Sequence, residues 1–419
     1  THPGHKPYLI VAPVSLIENW QNEYCKFFKN PMSVTILSSA QVPRIFDRKI
    51  IDKMQSCELI ITNYETVRNC QLNFCAVNFD IVALDEAQKV KTPGTLVTNA
   101  VKALKSTFRV AMTGTPVENT LLDLWCIMDF CVPGLLGNAK EFAKKYQHPL
   151  KNEETDLIAL GNEIHERLGV YFMRRLKVDA AKDLPIKYEI KQPINMPQFQ
   201  ANAYRYVVSS YDPTVKGNML VTIMGMREVS EHPYLHTNSL ASYSTNELID
   251  NAARLIGTMS ILDKIRSCSE KAIIFAERKE TQKMLQRVVR ERYGYTAKII
   301  NGDMSTTSAD GKFSRQGAID DFQRLPGFGV IIMSPVAAGM GLNVTSANHV
   351  IHYSLHWNPA KENQATDRAY RIGQEKDVYI YYPMAVSPDF KSFDETLDEL
   401  LSRKTNLASS TIFPTERIE

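Results

Sequence analysis

The sequence predicts an α/β protein with two lobes, each built on a parallel sheet, and three observations carry this prediction. Short apolar strands alternate with helical patterns across residues 1–130 and again across 249–390. Such alternation is typical of parallel sheets covered by helices on both faces. Residues 121–248, by contrast, show mainly helical patterns. We therefore expect two sheet-containing lobes with a helical region between them in the sequence.

The composition fits a globular protein of two or three domains. The chain has 419 residues, 44% of them hydrophobic, and a net charge of +3. No apolar run reaches the roughly 18 residues of a membrane span and no secretory signal opens the sequence, so no membrane partner is expected. The seven cysteines form no Cys-x-x-Cys pair, which favours reduced, mostly buried thiols and no zinc site. The small net charge neither demands nor excludes nucleic acid.

The first predicted strand covers residues 7–13 and ends at Pro13. Ser15, with Glu18 three residues later, predicts a capping box at the start of the next helix. Apolar runs at 34–37 and 58–62 predict two further strands.

The fourth apolar run, residues 79–84, leads directly into Asp85 and Glu86. A buried strand that ends in two carboxylates has the geometry of a Walker B site. There, Asp85 would hold Mg²⁺, usually through water, and Glu86 would orient the attacking water. An Asp-Glu pair alone is common, so this prediction depends on the strand that precedes it.

Residues 364–374, which we call the arginine segment, have helical spacing. Gln364, Arg368 and Arg371 lie at i, i+4 and i+7, which would place them on one helix face. Two arginines one turn apart can contact phosphate oxygens together, as the arginine fingers of NTPases do. The alternative is an exposed helix with ordinary surface charges, and the spacing alone does not decide between the two.

Together these motifs identify a family resemblance. Residues 85–88 (Asp-Glu-Ala-Gln) resemble the DEAH/DEAQ box of superfamily 2 helicase-like ATPases, and the arginine segment resembles the QAxDRxxRIGQ motif of their Snf2 branch. Residues 113–116 resemble motif III, and residues 338–345 resemble motif V. The resemblance covers nearly the whole chain. It implies two RecA-like lobes, Snf2-type helical insertions between them and a C-terminal brace helix.

The resemblance also implies ligands and roles. ATP and Mg²⁺ would be the cofactors, and ATP would lie between the lobes. Asp85, Glu86, Arg368 and Arg371 would be catalytic, with Asp85 serving the metal. Four residues would contact the nucleotide: Thr113, Gly339, Gly341 and Gln364. Eight residues would contact DNA: Ser15, Asn63, Tyr64, Lys89, Arg278, Asn343, Thr345 and Trp357. Residues 354–356 (Ser-Leu-His) depart from the family pattern before the Trp357 motif, which leaves the role of this loop open.

A P-loop is missing from the sequence. The pattern G-x-x-x-x-G-K-[ST] does not occur, and the one Gly-Lys pair, Gly311-Lys312, is followed by Phe313. The P-loop normally cradles the β- and γ-phosphates, so we expect this chain alone to hydrolyse little ATP. Because the later motifs are intact, a portion of a longer protein is the favoured explanation over a degenerate, non-hydrolysing relative.

We expect four regions along the chain. Residues 1–132 form the first RecA-like lobe without its P-loop, and residues 133–248 form the helical insertion and linker. Residues 249–390 form the second lobe, and residues 391–419 form the brace helix and tail.

The expected function is ATP-dependent translocation on double-stranded DNA or remodelling of proteins bound to it. The compact insertions resemble those of prokaryotic members that act in phage defence or in transcription recycling, and the sequence does not choose between these roles. The partners would be double-stranded DNA and either a DNA-bound protein or a defence-system partner. The expected location is the prokaryotic nucleoid in the cytoplasm, or the nucleus if the source is eukaryotic. The alternative is a non-catalytic DNA-binding scaffold of the same fold.

Overall fold

The computed structural model describes residues 6–412 except 118–119, 153–154, 176–183, 304–314, 336–342 and 372. The chain divides into two compact units, residues 1–174 with 405–419, and residues 175–404. Each unit contains one sheet.

The first unit is built on a five-stranded parallel sheet of order β2-β3-β1-β4-β5. Its strands are β1 Tyr8–Ala12, β2 Val34–Ile36, β3 Leu59–Asn63, β4 Asn78–Asp85 and β5 Lys105–Met112. Its helices are α1 Ile17–Phe27, α2 Arg48–Gln55, α3 Tyr64–Asn69, α4 Gln71–Phe74, α5 Leu96–Lys102, α6 Leu121–Cys131, α7 Ala139–Phe142 and α8 Leu157–Leu168. Both faces of the sheet are covered: Leu59 and Ile61 pack against α1, and Ile60 packs in the cluster that contains Val67 and Val101.

The second unit is built on a six-stranded parallel sheet of order β6-β11-β10-β7-β9-β8. Its strands are β6 Lys187–Asn195, β7 Lys271–Phe275, β8 Lys298–Ile300, β9 Gly329–Met333, β10 His349–His352 and β11 Val378–Val386. Its helices are α9 Gln198–Ser209, α10 Asn218–Glu231, α11 Pro233–His236, α12 Thr245–Asp250, α13 Ala253–Ser267, α14 Lys279–Tyr293, α15 Arg315–Arg324, α16 Pro359–Thr366 and the first part of α17 Phe393–Ile412, whose residues from 405 onward belong to the first unit. Two apolar clusters cover opposite faces, one through Ile274 and one through Ile273.

These sheets confirm the predicted α/β class with two parallel-sheet lobes. Two helices match their sequence patterns closely, at Leu121–Cys131 and Leu157–Leu168. The edge strand β6, however, lies within the range whose patterns looked helical. Its first five residues are all exposed, so it lacks the apolar run that marks a buried strand.

The predicted capping box at Ser15 is wrong. Ser15 lies inside a 3₁₀ turn, Val14–Leu16, and α1 begins only at Ile17 without a side-chain cap. Glu18 is therefore the second residue of the helix, one position short of the capping-box geometry.

The cysteines are all free thiols, but they are less buried than expected. Cys70 and Cys126 are buried, three more are half-buried, and Cys25 and Cys268 are exposed. Among the helices of the described ranges, none combines the length and the hydropathy needed to cross a bilayer.

Candidate functional site

The carboxyl edge of the first sheet brings together motifs that are far apart in the sequence. Asp85 is the last residue of β4, where it pairs in register with Met112 at the end of β5. Asn63 ends β3 and pairs in register with Ala12 at the end of β1. In open α/β sheets, ligands bind at the carboxyl ends of the strands. The predicted Walker B residues therefore lie at this edge. Motif III and the predicted DNA contacts of this unit lie at the ends of the same strands or directly after them.

Asp85 is held by donors from three places. Its Oδ2 accepts a hydrogen bond from the Trp20 indole Nε1 at 2.7 Å, and its Oδ1 accepts one from the backbone N–H of Glu86 at 2.9 Å. Its backbone carbonyl accepts the Tyr64 hydroxyl at 2.6 Å. Trp20 is not among the residues that the sequence predicted for the site, because its ring suits the apolar face of α1. The available signal was that an indole N–H, when it is buried, normally finds an acceptor.

Glu86 is joined to motif III through side chains. Its backbone is left-handed, with φ 51° and ψ 52°, a strained conformation for a residue with a side chain. Gln88 donates to Glu86 Oε2, and its own Oε1 accepts the Thr113 hydroxyl at 2.7 Å. The Thr113 oxygen also accepts the backbone N–H of Thr115 at 3.0 Å. A continuous hydrogen-bonded path therefore runs from the second carboxylate to the predicted nucleotide-sensing threonine.

Two of the predicted DNA contacts have structural partners inside the unit. Asn63 is buried, and its side chain caps α3 by accepting the Thr66 N–H at 2.9 Å. Tyr64 is buried too, and its pKa is raised well above the usual range by burial and by the negative charges of Asp85 and Glu86. Tyr64 therefore remains a neutral donor. Ser15 is half-buried and Lys89 is exposed on the 3₁₀ turn Ala87–Val90. DNA contact by these residues stays a prediction.

In the second unit, the arginine segment is only partly helical. Helix α16 ends at Thr366, so Arg368 and Arg371 lie in the turns that follow, and the predicted single helix face is wrong. The backbone carbonyl of Arg368 accepts the N–H of Val344 at 3.0 Å, and the carbonyl of Ala369 accepts the Gln374 side chain at 3.2 Å. Both carbonyls lie beyond the end of α16, and their bonds are to groups that a continued helix would not supply.

The arginine segment still connects to the motif V region. Arg368 is buried, and its Nε donates to the carbonyl of Gln364 at 3.2 Å. Arg371 is half-buried and donates through Nη1 to Asn343 Oδ1. Asn343, a predicted DNA contact, therefore bonds Arg371 directly. Thr345, another predicted DNA contact, bonds the same segment at Gln374, whose amide donates to the Thr345 carbonyl at 3.0 Å.

Gln374 fixes this arrangement. Its buried amide also donates to the carbonyl of Ala347 at 2.9 Å, while its Oε1 accepts the N–H of Lys376 at 3.0 Å. The last residue of the family motif therefore has a structural role that the sequence did not reveal.

The remaining predicted residues are dispersed. Arg278 forms an ion pair with Glu228 at 2.8 Å. Trp357 is 36% exposed and packs edge-on against Phe393, with ring centroids 5.4 Å apart. Gly339 and Gly341 lie outside the described residues.

The carboxylate of Asp85 can contribute one ligand to a Mg²⁺ site. Within the described ranges, no group of three or more His, Cys, Asp or Glu side chains could hold a metal ion. Mg²⁺ is usually bound by one or two carboxylates, with waters and substrate phosphates completing its octahedron. The oriented, half-buried carboxylate of Asp85 retains lone pairs for such a shell.

Comparisons with known proteins agree with these motifs. A family model of the SNF2-related domain matches residues 1–235, more than half of the chain, and one of the helicase conserved C-terminal domain matches residues 257–373. Zorya protein ZorD of Escherichia coli is 38% identical over 97% of this chain and 40% of its own length. The putative ATP-dependent helicase/translocase YwqA of Bacillus subtilis is 31% identical over 96% of this chain and 42% of its own length.

Among solved structures, the SWI2/SNF2 ATPase core of Sulfolobus solfataricus in complex with dsDNA shares 30% sequence identity. That match covers 97% of this chain and 83% of the other, with a TM-score of 0.41. The chain spans about two fifths of the length of the two curated relatives. On the family matches and the motifs above, the chain belongs to the Snf2 family of superfamily 2 helicase-like ATPases.

Proposed function

We propose that this chain is the motor region of an ATPase that translocates on double-stranded DNA or remodels proteins bound to it. The observation that carries the proposal is the edge of the first sheet. Asp85 is oriented there by Trp20, and Glu86 is joined through Gln88 to Thr113. The Asp85 carboxylate is thus held in one orientation, in which it could bind a cation. The Glu86 carboxylate is connected by hydrogen bonds to Thr113 of motif III.

The chemistry assigns one task to each group. Asp85 would hold Mg²⁺ through water, and Glu86 would orient the water that attacks the γ-phosphate. The Mg²⁺ ion, when bound, neutralises charge on the phosphates. Arg368 and Arg371 neutralise the charge that develops on the transferring phosphoryl group. Gln364, Thr113, Gly339 and Gly341 remain the proposed nucleotide contacts.

Duplex DNA is the proposed track. Contacts from Ser15, Lys89, Asn343 and Trp357 would be mainly to phosphates, which gives binding that tolerates any sequence and weakens with salt. Lys89 and Asn343 are exposed, as phosphate contacts must be. The similarity to YwqA, a putative ATP-dependent helicase/translocase, supports translocation as the activity.

The test is hydrolysis of ATP with and without duplex DNA. Because the sequence contains no P-loop, the assay uses the longest natural form of the protein. We expect strong stimulation by duplex DNA, and its loss in Glu86→Gln, which keeps the shape of the side chain and removes the charge that orients water. Absence of hydrolysis in that longest form would refute the motor and favour the non-catalytic scaffold.

We further propose a role in defence against phage, acting on DNA in a prokaryotic nucleoid with a defence-system partner. The support is the 38% identity to a protein named as a Zorya component, across nearly the whole chain. Phage plaque counts on cells that carry the complete system would test it. We expect protection to disappear with Glu86→Gln, and equal protection by both forms would exclude an ATPase role in defence.

A further inference from the structure

The hydrogen bond between Trp20 and Asp85 joins two motifs to which the proposed mechanism gives separate tasks. Trp20 follows Ser15, a predicted DNA contact, by five residues, and Asp85 is the proposed magnesium carboxylate. The indole Nε1 lies 2.7 Å from Asp85 Oδ2, although the two residues are 65 positions apart in the sequence. A bond from a neutral donor to a carboxylate is one of the stronger hydrogen bonds in proteins.

The path between Ser15 and Trp20 is short and well supported. Ser15 lies in the 3₁₀ turn Val14–Leu16, and α1 begins at Ile17, directly after the turn. Ile17 is buried, and Trp20 packs beside it against Leu59 and Ile61 of the sheet. A displacement of the turn would therefore move the indole relative to the carboxylate.

A second predicted DNA-contact segment reaches the same residue. Tyr64 belongs to that segment and donates its hydroxyl to the backbone carbonyl of Asp85 at 2.6 Å. Trp20 donates its hydrogen bond to the carboxylate of Asp85, whereas Tyr64 donates to the backbone carbonyl of Asp85. Of the two, only Trp20 touches the oxygens that would face the cation.

We propose that Trp20 is a positioning residue, which holds Asp85 in the orientation that Mg²⁺·ATP requires and makes that orientation respond to duplex DNA at the Ser15 turn. This inference rests on the proposed function. It adds a side chain that transmits duplex binding to the metal carboxylate. The indole N–H donates to Oδ2, and the carboxylate keeps lone pairs that would be available to a hydrated cation.

The test separates metal positioning from general packing. Binding of a fluorescent N-methylanthraniloyl ATP is measured while Mg²⁺ is titrated, in the longest natural form of the protein carrying Glu86→Gln so that turnover does not interfere. Trp20→Phe removes the N–H and keeps an aromatic ring. The matched control is Trp125→Phe, because Trp125 donates a similar bond of 2.9 Å to the carbonyl of Gly137, outside the site.

We expect Trp20→Phe to raise the Mg²⁺ concentration at half-maximal binding about tenfold, the effect of roughly one charge-assisted hydrogen bond. Nucleotide binding in the presence of EDTA should be the same in both variants, which a merely structural role would not produce. Duplex DNA should shift the half-maximal Mg²⁺ concentration of the Glu86→Gln parent, since coupling between two sites is reciprocal. It should leave that of Trp20→Phe unchanged.

Three outcomes would contradict the inference. Equal Mg²⁺ dependence of Trp20→Phe and Trp125→Phe would overturn the positioning role, while the proposed motor would stand. A raised Mg²⁺ requirement with an undiminished duplex response would overturn the connection to the Ser15 turn. If the parent protein binds no nucleotide at any Mg²⁺ concentration, the proposed function fails, and this inference fails with it.

Discussion

The edge of the first sheet and the arginine segment of the second unit hold their polar groups in different ways. Asp85 and Glu86 are half-buried and bonded mainly to side chains from other elements, such as Trp20 and Gln88. In the arginine segment, a buried glutamine amide bonds to three backbone carbonyls. Side-chain partners can rotate away, whereas backbone partners move only with the fold. We therefore expect the first site to adjust and the second to stay rigid.

The largest expected effect tests the rigidity of the second unit. Arg254 and Asp394 form a fully buried ion pair, and Arg254 also donates to the carbonyl of Tyr353 at 2.7 Å. Arg254→Met leaves the carboxylate of Asp394 buried without its charged partner. We expect the free energy of unfolding of this unit to fall by about 3–5 kcal/mol.

Chemical denaturation followed by tryptophan fluorescence would measure this loss. Trp357 packs against Phe393, which precedes Asp394 in the chain, so it reports on this region when Trp20 and Trp125 are replaced by phenylalanine. The control is Arg205→Met, because the Arg205–Asp389 pair is exposed and should cost less than about 1 kcal/mol. Equal losses of unfolding free energy from Arg254→Met and Arg205→Met would show that burial of an ion pair does not determine its contribution to stability.

The next effect concerns pH and the helix that leads into the arginine segment. Glu362 is buried in α16 and accepts the backbone N–H of His356 at 2.6 Å. Burial raises its pKa to about 7, although the His356 bond opposes the shift, and the carboxylates of Asp398 and Glu189 raise it further. The folded state therefore binds a proton more tightly than the unfolded state. This contribution to stability is present below about pH 4.5 and is lost as pH rises toward 7.

Glu362→Gln removes this titration. Relative to the unsubstituted protein, the variant should gain on the order of 2–3 kcal/mol of unfolding free energy between pH 4.5 and about 7.5, as a shift of this size implies. Urea denaturation at a series of pH values would show it. The control is Glu375→Gln, at an exposed position. A constant difference between Glu362→Gln and the unsubstituted protein would show that folding does not raise the pKa of Glu362.

The two regions also differ in how far the sequence predicted them. The carboxyl edge was predictable because Asp85 directly follows an apolar strand, and a parallel sheet collects its strand ends. The helical spacing of Gln364, Arg368 and Arg371 was misleading, since the carbonyls that follow α16 bond to the N–H of Val344 and to the Gln374 side chain. A periodic pattern records which residues could share a helix face. It contains no information on donors that reach the backbone from elsewhere.

Trp20 and strand β6 show the same limit of prediction from sequence patterns. The aromatic ring of Trp20 fitted an apolar helix face, and only the fold shows that its N–H meets Asp85. Strand β6 extends the sheet through backbone pairing with β11, although its first five residues are exposed. Backbone pairing at a sheet edge does not require the apolar alternation by which strands are recognised.

The smallest expected effect tests the first site. Tyr64→Phe removes one neutral hydrogen bond, from the buried hydroxyl to the carbonyl of Asp85. We expect the first unit to lose about 1 kcal/mol of unfolding free energy, well below the loss from Arg254→Met, because no charge is left unpaired.

The control is Tyr146→Phe, where a buried tyrosine donates to Glu163 at 2.9 Å. That acceptor is a carboxylate, so Tyr146→Phe should cost at least as much as Tyr64→Phe. Thermal unfolding of both variants would measure this order. A loss above about 3 kcal/mol for Tyr64→Phe would mean that the edge of the first sheet is as rigid as the buried pair of the second unit.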